Sequence, residues 1–288
     1  EIARIEGYHN LPSLLMAGLL PEKIKTPNIL FNALDSVKQE LQKLGGIEVY
    51  TLALVGKVQA GNNAVKLKNP LGSDTEYMRT SLKPSLQKVL EDNLHATEPF
   101  HIFEIANIYH KKAGDLPTEE LTLAGIIKGH NFRVGKGILE HFLGSQFSAY
   151  SLKPSSKQAL TISVANEKIG TIDATDTGRI YYELNINQFL RHINKIKTIN
   201  DIPKHPPHIE DITINLPENH GVGEILEKVL QLNKLIKKVE LIDIYRRAHT
   251  LRLYFQHPEK TLDNKEVARL RALVEKTILH PKAHQHQS

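Results

Sequence analysis

The sequence lacks cysteine and tryptophan, and aromatic residues make up only 6% of its 288 positions. Without cysteine the chain forms no disulfide and offers no thiolate as a nucleophile or metal ligand. This excludes disulfide scaffolds, cysteine enzymes and cysteine-liganded zinc sites. It is compatible with a reducing compartment, and we take the cytoplasm as the expected location.

Long hydrophobic runs and targeting signals are lacking as well. No window approaches about 18 consecutive apolar residues, and the first residues show no basic segment followed by an apolar one, so neither a membrane span nor a signal peptide is expected. The chain begins at Glu1 and enters an amphipathic segment directly, so we expect it to start inside a larger protein. Its length and its 40% hydrophobic content predict a globular chain of two domains.

Positive charge is in modest excess, with a net charge of +5 and a pI near 9.1. From residue 196 onward, 15 lysines and arginines face 12 aspartates and glutamates. This excess favours contact with nucleic acid, and an ordinary solvated surface is the alternative.

The most informative segment covers residues 69–109. Apolar side chains recur every three or four residues from about 81 to 95, which predicts a helix with Ser81 as N-cap and Pro84 in its first turn. Residues 100–109 are mostly apolar, β-branched or aromatic, which predicts a strand buried on both faces.

This segment contains the motifs NPL, MRTSL and IFEIANIY, in that order. Together they resemble the catalytic-like domain of the phenylalanine-tRNA synthetase β subunit. Ala106 stands where that family usually has glycine, which is a small-for-small change. The positions that match the family pattern are Asn69, Pro70, Leu71, Met78, Arg79, Ser81, Leu82, Asn93, Phe103, Glu104 and Ile105.

Residues 1–12, EIARIEGYHNLP, resemble the end of the domain that precedes the catalytic-like domain in the same family. The resemblance implies a Mg²⁺ site near the junction with the catalytic subunit, and Glu1 falls on the last of its acidic ligands. The other ligands would lie upstream, so we expect no complete metal site in this segment. A glutamate on a helix surface is the alternative.

Further periodic segments predict the rest of a domain at residues 13–195. We expect helices at 28–44, ended by Gly45-Gly46, and near 135–143; the predicted strands are 47–55, 64–68, 120–128, 160–165, 168–174 and 180–186. Strands 160–165 and 168–174 would form a hairpin around Asn166-Glu167. Hairpin-joined strands predict an α+β fold with an antiparallel sheet and helices on one side, and the resemblance implies a class II synthetase core.

The proline-rich residues 196–208 predict a linker, beyond which the pattern changes. Residues 209–280 predict strands at 209–216, 239–245 and 250–257, with helices at 221–232 and 263–279. This βαββα order is five-sixths of a ferredoxin-like split βαβ fold. Residues 281–288 are polar and predict a disordered tail.

The second domain resembles the ferredoxin-like anticodon-binding domain that ends bacterial and organellar phenylalanyl synthetases. Three departures are visible: Glu210 replaces the usual arginine, the hairpin after Tyr245 is short, and no closing strand follows the last helix. The positions that match are Pro206, Pro207, Asp211, Ile212, Asp243, Ile244, Tyr245, Thr261, Leu262, Glu266 and Val267.

Catalytic chemistry is not expected in this segment. The glycine-rich motif that ends in an ATP-binding arginine in active class II synthetases has no counterpart between residues 152 and 183. Arg79 and Glu104 are interpreted as a structural ion pair rather than an ATP-orienting pair. His205 and His208 have a metal-like spacing without a third ligand. ATP and Mg²⁺ would therefore belong to the holoenzyme, and we expect no catalytic residue and no cofactor here.

Binding of tRNA is assigned to the second and third strands of the small domain. An aromatic side chain with cations on a sheet can stack bases and contact phosphates. A core tyrosine with solvated cations is the alternative. The candidate residues are Tyr245, Arg246, Arg247, Arg252, Lys237 and Lys238.

The two resemblances together imply the C-terminal part of a β subunit. It would dock the catalytic α subunit in an α2β2 assembly, bind tRNA(Phe) and support charging of that tRNA with phenylalanine. The alternative is a free-standing scaffold or RNA-binding protein that reuses both domains. Editing and tRNA-binding domains upstream would discriminate between the two.

Overall fold

The computed structural model describes residues 1–11, 29–93, 95, 99–156, 158–174, 178–193, 203–216 and 222–279. The chain divides into two compact units, Glu1–Lys197 and Thr198–Ser288. We call them the larger and the smaller unit. Within the described ranges, no helix is long and apolar enough to cross a membrane. Most of the expected linker and the whole expected tail lie outside these ranges, so both remain predictions.

The larger unit is built on a seven-stranded sheet with the order β1-β4-β5-β9-β8-β7-β6. Every neighbouring pair is antiparallel except β1 and β4, which are parallel. The α+β class and the antiparallel sheet are thus confirmed. The sheet strands are β1 Gly46–Glu48, β4 Phe100–His110, β5 Thr118–Lys128, β6 Ser151–Ser156, β7 Ala159–Val164, β8 Glu167–Ala174 and β9 Ile180–Asn185; β2 Leu54–Val55 and β3 Tyr77–Met78 form a separate pair.

Helices cover both faces of this sheet, so the prediction of helices on one side is wrong. One face carries the main core, which includes side chains of α2, α5 and α6, and the other face packs against α4. The helices are α1 Ile2–Glu6, α2 Ile29–Lys43, α3 Lys57–Ala60, α4 Lys83–Asp92, α5 Phe132–Gln146 and α6 Ile186–His192, with a 3-10 turn at Tyr8–Asn10.

Several predicted elements differ from the structure for identifiable reasons. The expected strand 47–55 is wrong, because the backbone leaves the sheet after β1 and the Thr51 N–H is bound by the Glu104 side chain. The expected strand 64–68 is only a bridge between Lys66 and Tyr77. The sequence analysis missed β6, a polar strand with Pro154, which lies at the sheet edge where proline is tolerated.

The hairpin between β7 and β8 turns at Ala165 and Asn166, one residue earlier than predicted. Both residues have positive φ, 49° and 66°, as a two-residue turn of type I′ requires. Asparagine adopts this conformation more readily than alanine does.

Gly125 on β5 permits a close side-chain crossing inside the main core. A Cβ at this position would lie 2.4 Å from the Tyr182 hydroxyl. That hydroxyl lies 3.0 Å from Nε2 of His101, which is buried on β4. Burial lowers the pKa of His101 to about 4, so this side chain is neutral at physiological pH.

The smaller unit has a three-stranded antiparallel sheet with the order β10-β12-β11. Its βαββα sequence and strand order confirm the ferredoxin-like arrangement. In the part of the unit that is described, no strand lies beyond β10. The elements are β10 His208–Asn215, α7 Val222–Leu232, β11 Ile236–Tyr245, β12 Ala248–Phe255 and α8 Asn264–Leu279.

Candidate nucleic-acid interface

The hairpin between β11 and β12 presents an aromatic ring and a cation to solvent. Tyr245 is 66% exposed, and the guanidinium carbon of Arg246 lies 5.4 Å from the centre of its ring. The alternative of a core tyrosine is therefore wrong. Arg246 has φ 55°, which residues other than glycine rarely adopt. The tight two-residue turn thus holds Arg246 in a strained backbone conformation.

The sheet face opposite α7 and α8 carries a second group of polar side chains. Arg252 on β12 donates two hydrogen bonds, both 2.8 Å, to the carboxylate of Asp211 on β10. This contact holds the pKa of Asp211 below its usual value. Arg252 is thus already neutralised by a carboxylate, which sequence reasoning did not anticipate.

Lys238 is likewise paired. Its ammonium lies 2.5 Å from the Glu240 carboxylate and 5.2 Å from the centre of the Tyr254 ring. The Tyr254 hydroxyl donates to the same carboxylate at 2.7 Å. These hydrogen bonds lower the pKa of Glu240. Lys238 and Arg252 are thus side chains of an ion-paired sheet face rather than open cations.

Lys237 and Arg246 differ from these two residues. Both are exposed, and neither contacts a carboxylate within the described part of the chain. Arg247 completes the same turn, and its carbonyl accepts the N–H of Leu216. Of the six predicted tRNA-binding residues, the structure groups Tyr245, Arg246 and Arg247 at the hairpin. Their role in binding remains a prediction.

Glu210, the residue that replaces the family's arginine, lies on the helix side of β10. Its carboxylate accepts a hydrogen bond of 2.9 Å from Arg271 of α8, and Arg271 also contacts Glu275. Glu210 therefore joins β10 to α8. Its charge favours this contact over any contact with phosphate.

Arg79 and Glu104 form a closed network in the larger unit. Their side chains are 4% and 2% exposed, and Nη1 of Arg79 lies 3.3 Å from Oε1 of Glu104. The Thr51 hydroxyl accepts from Arg79 at 2.7 Å and donates to Glu104 at 2.7 Å, while Nε of Arg79 donates to the Asn107 carbonyl. Since Nε and Nη1 of Arg79 donate to protein groups, the pair has the geometry of a structural ion pair.

A polar cluster lies on the same sheet face, and sequence analysis did not identify it. The Tyr181 hydroxyl donates to Glu183, and the Ser81 hydroxyl lies 3.3 Å from the same carboxylate. Burial raises the pKa values of Tyr181 and Glu183. The sequence signal for this cluster was the two-residue spacing of Tyr181 and Glu183, which places both side chains on one face of a strand. Ser81 precedes α4 by two residues, and its hydroxyl accepts the N–H of Lys83.

An open groove of about 630 Å³ separates residues 51–59 and 74–75 from one side of α4. Its lining mixes apolar side chains such as Leu54 and Val89 with charged ones such as Lys88 and Asp92. None of the predicted site residues lines it.

The candidate metal ligands are not brought together. Glu1 is exposed and pairs with Arg4 at 2.8 Å. His205 lies 3.4 Å from the Thr261 hydroxyl, whereas His208 lies 3.1 Å from Glu210. Across the described ranges, no group of three metal-ligating side chains is present. A role of Glu1 in metal binding remains a prediction.

Comparison with known proteins identifies both units. The family model described as the phenylalanyl tRNA synthetase beta chain CLM domain matches residues 11–172, more than half of the chain. The chain belongs to the phenylalanyl-tRNA synthetase β chain family. A second model, the ferredoxin-fold anticodon binding domain, matches residues 203–281. The two family models confirm the resemblances inferred from the sequence, one for each domain of this β chain.

Curated relatives carry the same family name at low identity. The phenylalanine-tRNA ligase β subunit of Oceanobacillus iheyensis is 25% identical over 93% of this chain and 39% of its own length. That of Prochlorococcus marinus subsp. pastoris is 26% identical over 94% of this chain and 38% of its own. The chain thus spans about two fifths of these relatives. A solved pyrrolysyl-tRNA synthetase from Desulfitobacterium hafniense has a TM-score of 0.46 at 13% identity over 56% of this chain and 66% of its own, too weak a likeness to carry an argument.

Proposed function

We propose that this chain is the part of a phenylalanine-tRNA ligase β subunit that docks the catalytic α subunit and binds the anticodon region of tRNA(Phe). The observation that carries the proposal is the succession, in one chain, of a β chain CLM domain and a ferredoxin-fold anticodon-binding domain. The assembly would be α2β2 and cytoplasmic, and it would charge tRNA(Phe) with phenylalanine.

The chemical step would belong to the α subunit, with ATP and Mg²⁺ bound there. The residues of this chain do not fit ATP, because Arg79 is engaged by Glu104, Thr51 and Asn107 and the sequence holds no glycine-rich motif ending in arginine. Pyrophosphate exchange by the purified chain with phenylalanine and ATP should remain at background. Phenylalanine-dependent exchange by the chain alone would overturn the non-catalytic assignment.

Docking of the α subunit is assigned to α2, β1 and the residues that follow. Strand β1 is at the sheet edge, and an apolar strip there is exposed: Leu30 45%, Phe31 66%, Ile47 55%, Tyr50 78% and Leu52 73%. Exposed apolar patches of this kind mark protein interfaces.

The docking surface can be tested by size-exclusion chromatography with the cognate α subunit. Wild type should elute with it at higher mass, whereas Ile47→Arg should not, since the charge would be buried without a partner. The matched control is Leu116→Arg, because Leu116 is exposed in the turn between β4 and β5, at the opposite end of β4 from Ile102, which pairs with Ile47. Separate elution of wild type at micromolar concentration would contradict the docking proposal.

Binding of tRNA is assigned to the hairpin, where a base can stack on Tyr245 and phosphates can meet Arg246 and Arg247. Arg246→Ala with Arg247→Ala should reduce the log-log slope of affinity against salt by about one to two, at roughly 0.7–0.9 per contact. Tyr245→Phe should bind like wild type, whereas Tyr245→Ala should lose about 1–3 kcal/mol. An unchanged slope in the double variant would exclude the hairpin as the contact.

A further inference from the structure

The solvent side of α8 carries a row of basic residues. The side chains of Val267, Leu270 and Val274 are buried in the core of the smaller unit. Directly opposite them on the helix lie Lys265, Arg269, Ala272 and Lys276, at positions i, i+4, i+7 and i+11, and all four are exposed. We call these four residues the α8 ridge. Its three cations extend over about 16 Å along the helix axis.

The ridge cations lack acidic partners, whereas four other cations of this unit are ion-paired. Lys238, Lys260, Arg252 and Arg271 each contact a carboxylate. Lys265, Arg269 and Lys276 contact none within the range that is described, and no acid lies on the ridge itself. Their positive charge is therefore directed to solvent.

The ridge is also unfavourable for the helix that carries it. Lys265 lies in the first turn of α8, where the helix dipole is positive, and it is four residues from Arg269, a like-charged neighbour. Neither the interaction of Lys265 with the helix dipole nor its repulsion by Arg269 stabilises the free protein. An anionic partner along this side would offset both unfavourable effects.

Charge is distributed differently on the neighbouring helix. The exposed side of α7 carries Glu224, Glu227 and Lys228, and α7 lies against β11, whereas α8 lies against β10. An anionic chain is therefore attracted more strongly to the α8 ridge than to α7. This asymmetry defines one flank of the helical layer as the basic one.

We propose that the α8 ridge binds the sugar-phosphate backbone of RNA, as a contact of the tRNA that is additional to the hairpin. The inference rests on the proposed function, because the RNA is the one that the smaller unit would bind. Ala272 leaves a gap between the cations through which a backbone can approach the helix. Contacts of this kind position a nucleic acid and read no sequence.

The test is the salt dependence of tRNA(Phe) binding by the whole 288-residue chain. The variant Lys265→Ala, Arg269→Ala, Lys276→Ala should bind more weakly at low salt, and its log-log slope should fall by about two to three, at roughly 0.7–0.9 per phosphate contact. Alanine favours helix, so α8 should be retained, which circular dichroism checks. The matched control Lys265→Arg, Arg269→Lys, Lys276→Arg conserves charge and should bind like wild type.

The outcomes separate this inference from the proposed function. If wild type binds no tRNA, both fail. If wild type binds, and the hairpin variant has a reduced slope while the triple alanine variant matches wild type, only the α8 ridge is refuted. Equal weakening for tRNA(Phe) and an unrelated tRNA supports backbone contact, whereas weakening for tRNA(Phe) alone would contradict it. Unchanged RNA binding with lost binding to anionic lipid vesicles would assign the ridge to a membrane instead.

Discussion

Each unit holds an arginine against the carboxylate of a β-strand, but the two pairs lie in opposite environments. The side chains of Arg79 and Glu104 are 4% and 2% exposed, and Thr51 and Asn107 form hydrogen bonds with them. The side chains of Arg252 and Asp211 are 39% and 41% exposed on an uncovered sheet face. An arginine–carboxylate pair is therefore part of the buried core of the larger unit and part of the exposed surface of the smaller unit.

The difference follows from how each sheet is covered. Helices pack on both faces of the larger sheet, so a charge there must be paired and fully hydrogen-bonded. The smaller sheet is covered on one face, and water screens the charges of the other. A phosphate can therefore compete for Arg252 but has no access to Arg79.

The largest effect is expected for Arg79→Ala. Removing one partner of a buried pair leaves Glu104 buried and uncompensated, which costs about 3–5 kcal/mol of unfolding free energy. Denaturant unfolding of the larger unit measures it. Arg252→Ala is the surface counterpart, and the transition of the smaller unit should stay close to that of wild type. Similar losses for both variants would contradict the comparison.

As the pH falls, the larger unit should lose stability at a higher pH than the smaller unit. The pKa of His101 is about 4 in the folded state, below its ordinary value of 6.5. The contribution of neutral His101 to the unfolding free energy is therefore fully present above about pH 6.5 and is lost as the pH falls towards 4. The loss amounts to about 3 kcal/mol at roughly 1.4 kcal/mol per pKa unit. His101→Gln should flatten this profile between pH 6.5 and 4.

In the smaller unit the relevant groups are carboxyls. Asp211 and Glu240 have lowered pKa values, so the stability that their contacts provide is present above the unfolded values and is lost only below about pH 4. Urea unfolding at a series of pH values, followed separately for each unit, checks the order. Loss of the smaller unit first as the pH falls would contradict it.

Sequence patterns predicted most strands and helices of both units, because periodic apolar residues determine them. They failed where side chains replace backbone pairing, as at Thr51, whose N–H is bound by Glu104. They also failed at the candidate interface. The predicted ferredoxin-like fold makes β10 and β12 neighbours, but the sequence gives no sign of the register that places Asp211 opposite Arg252.

A smaller effect is expected from Asp211→Asn. This change removes the charge that neutralises Arg252 while retaining the shape of the side chain. Arg252 would then be available on the sheet face, and the log-log salt slope of tRNA binding should rise by at most about 0.7–0.9. A fall in the slope would show that Asp211 itself takes part in binding.

The smallest effect on stability is expected from Arg246→Gly. The sign of the change in unfolding free energy tells whether the backbone of Arg246 is strained. Glycine adopts the positive φ of this position without the strain that Arg246 carries, so the hairpin should be as stable as in wild type or more so. Binding of tRNA should nevertheless weaken, because a cation is lost. Reduced stability with unchanged binding would make Arg246 a structural residue.

In the proposed function, the smaller unit and not the larger one contacts tRNA. Binding of tRNA(Phe) by two double variants of the whole chain, measured across a salt series, tests this assignment. Lys237→Ala with Arg246→Ala removes two exposed cations of the smaller unit, and Lys57→Ala with Lys88→Ala removes two of the larger unit. The first variant should lower the log-log slope by about one to two, while the second should match wild type. A lower slope in the second variant alone, or equal slopes in both, would contradict it.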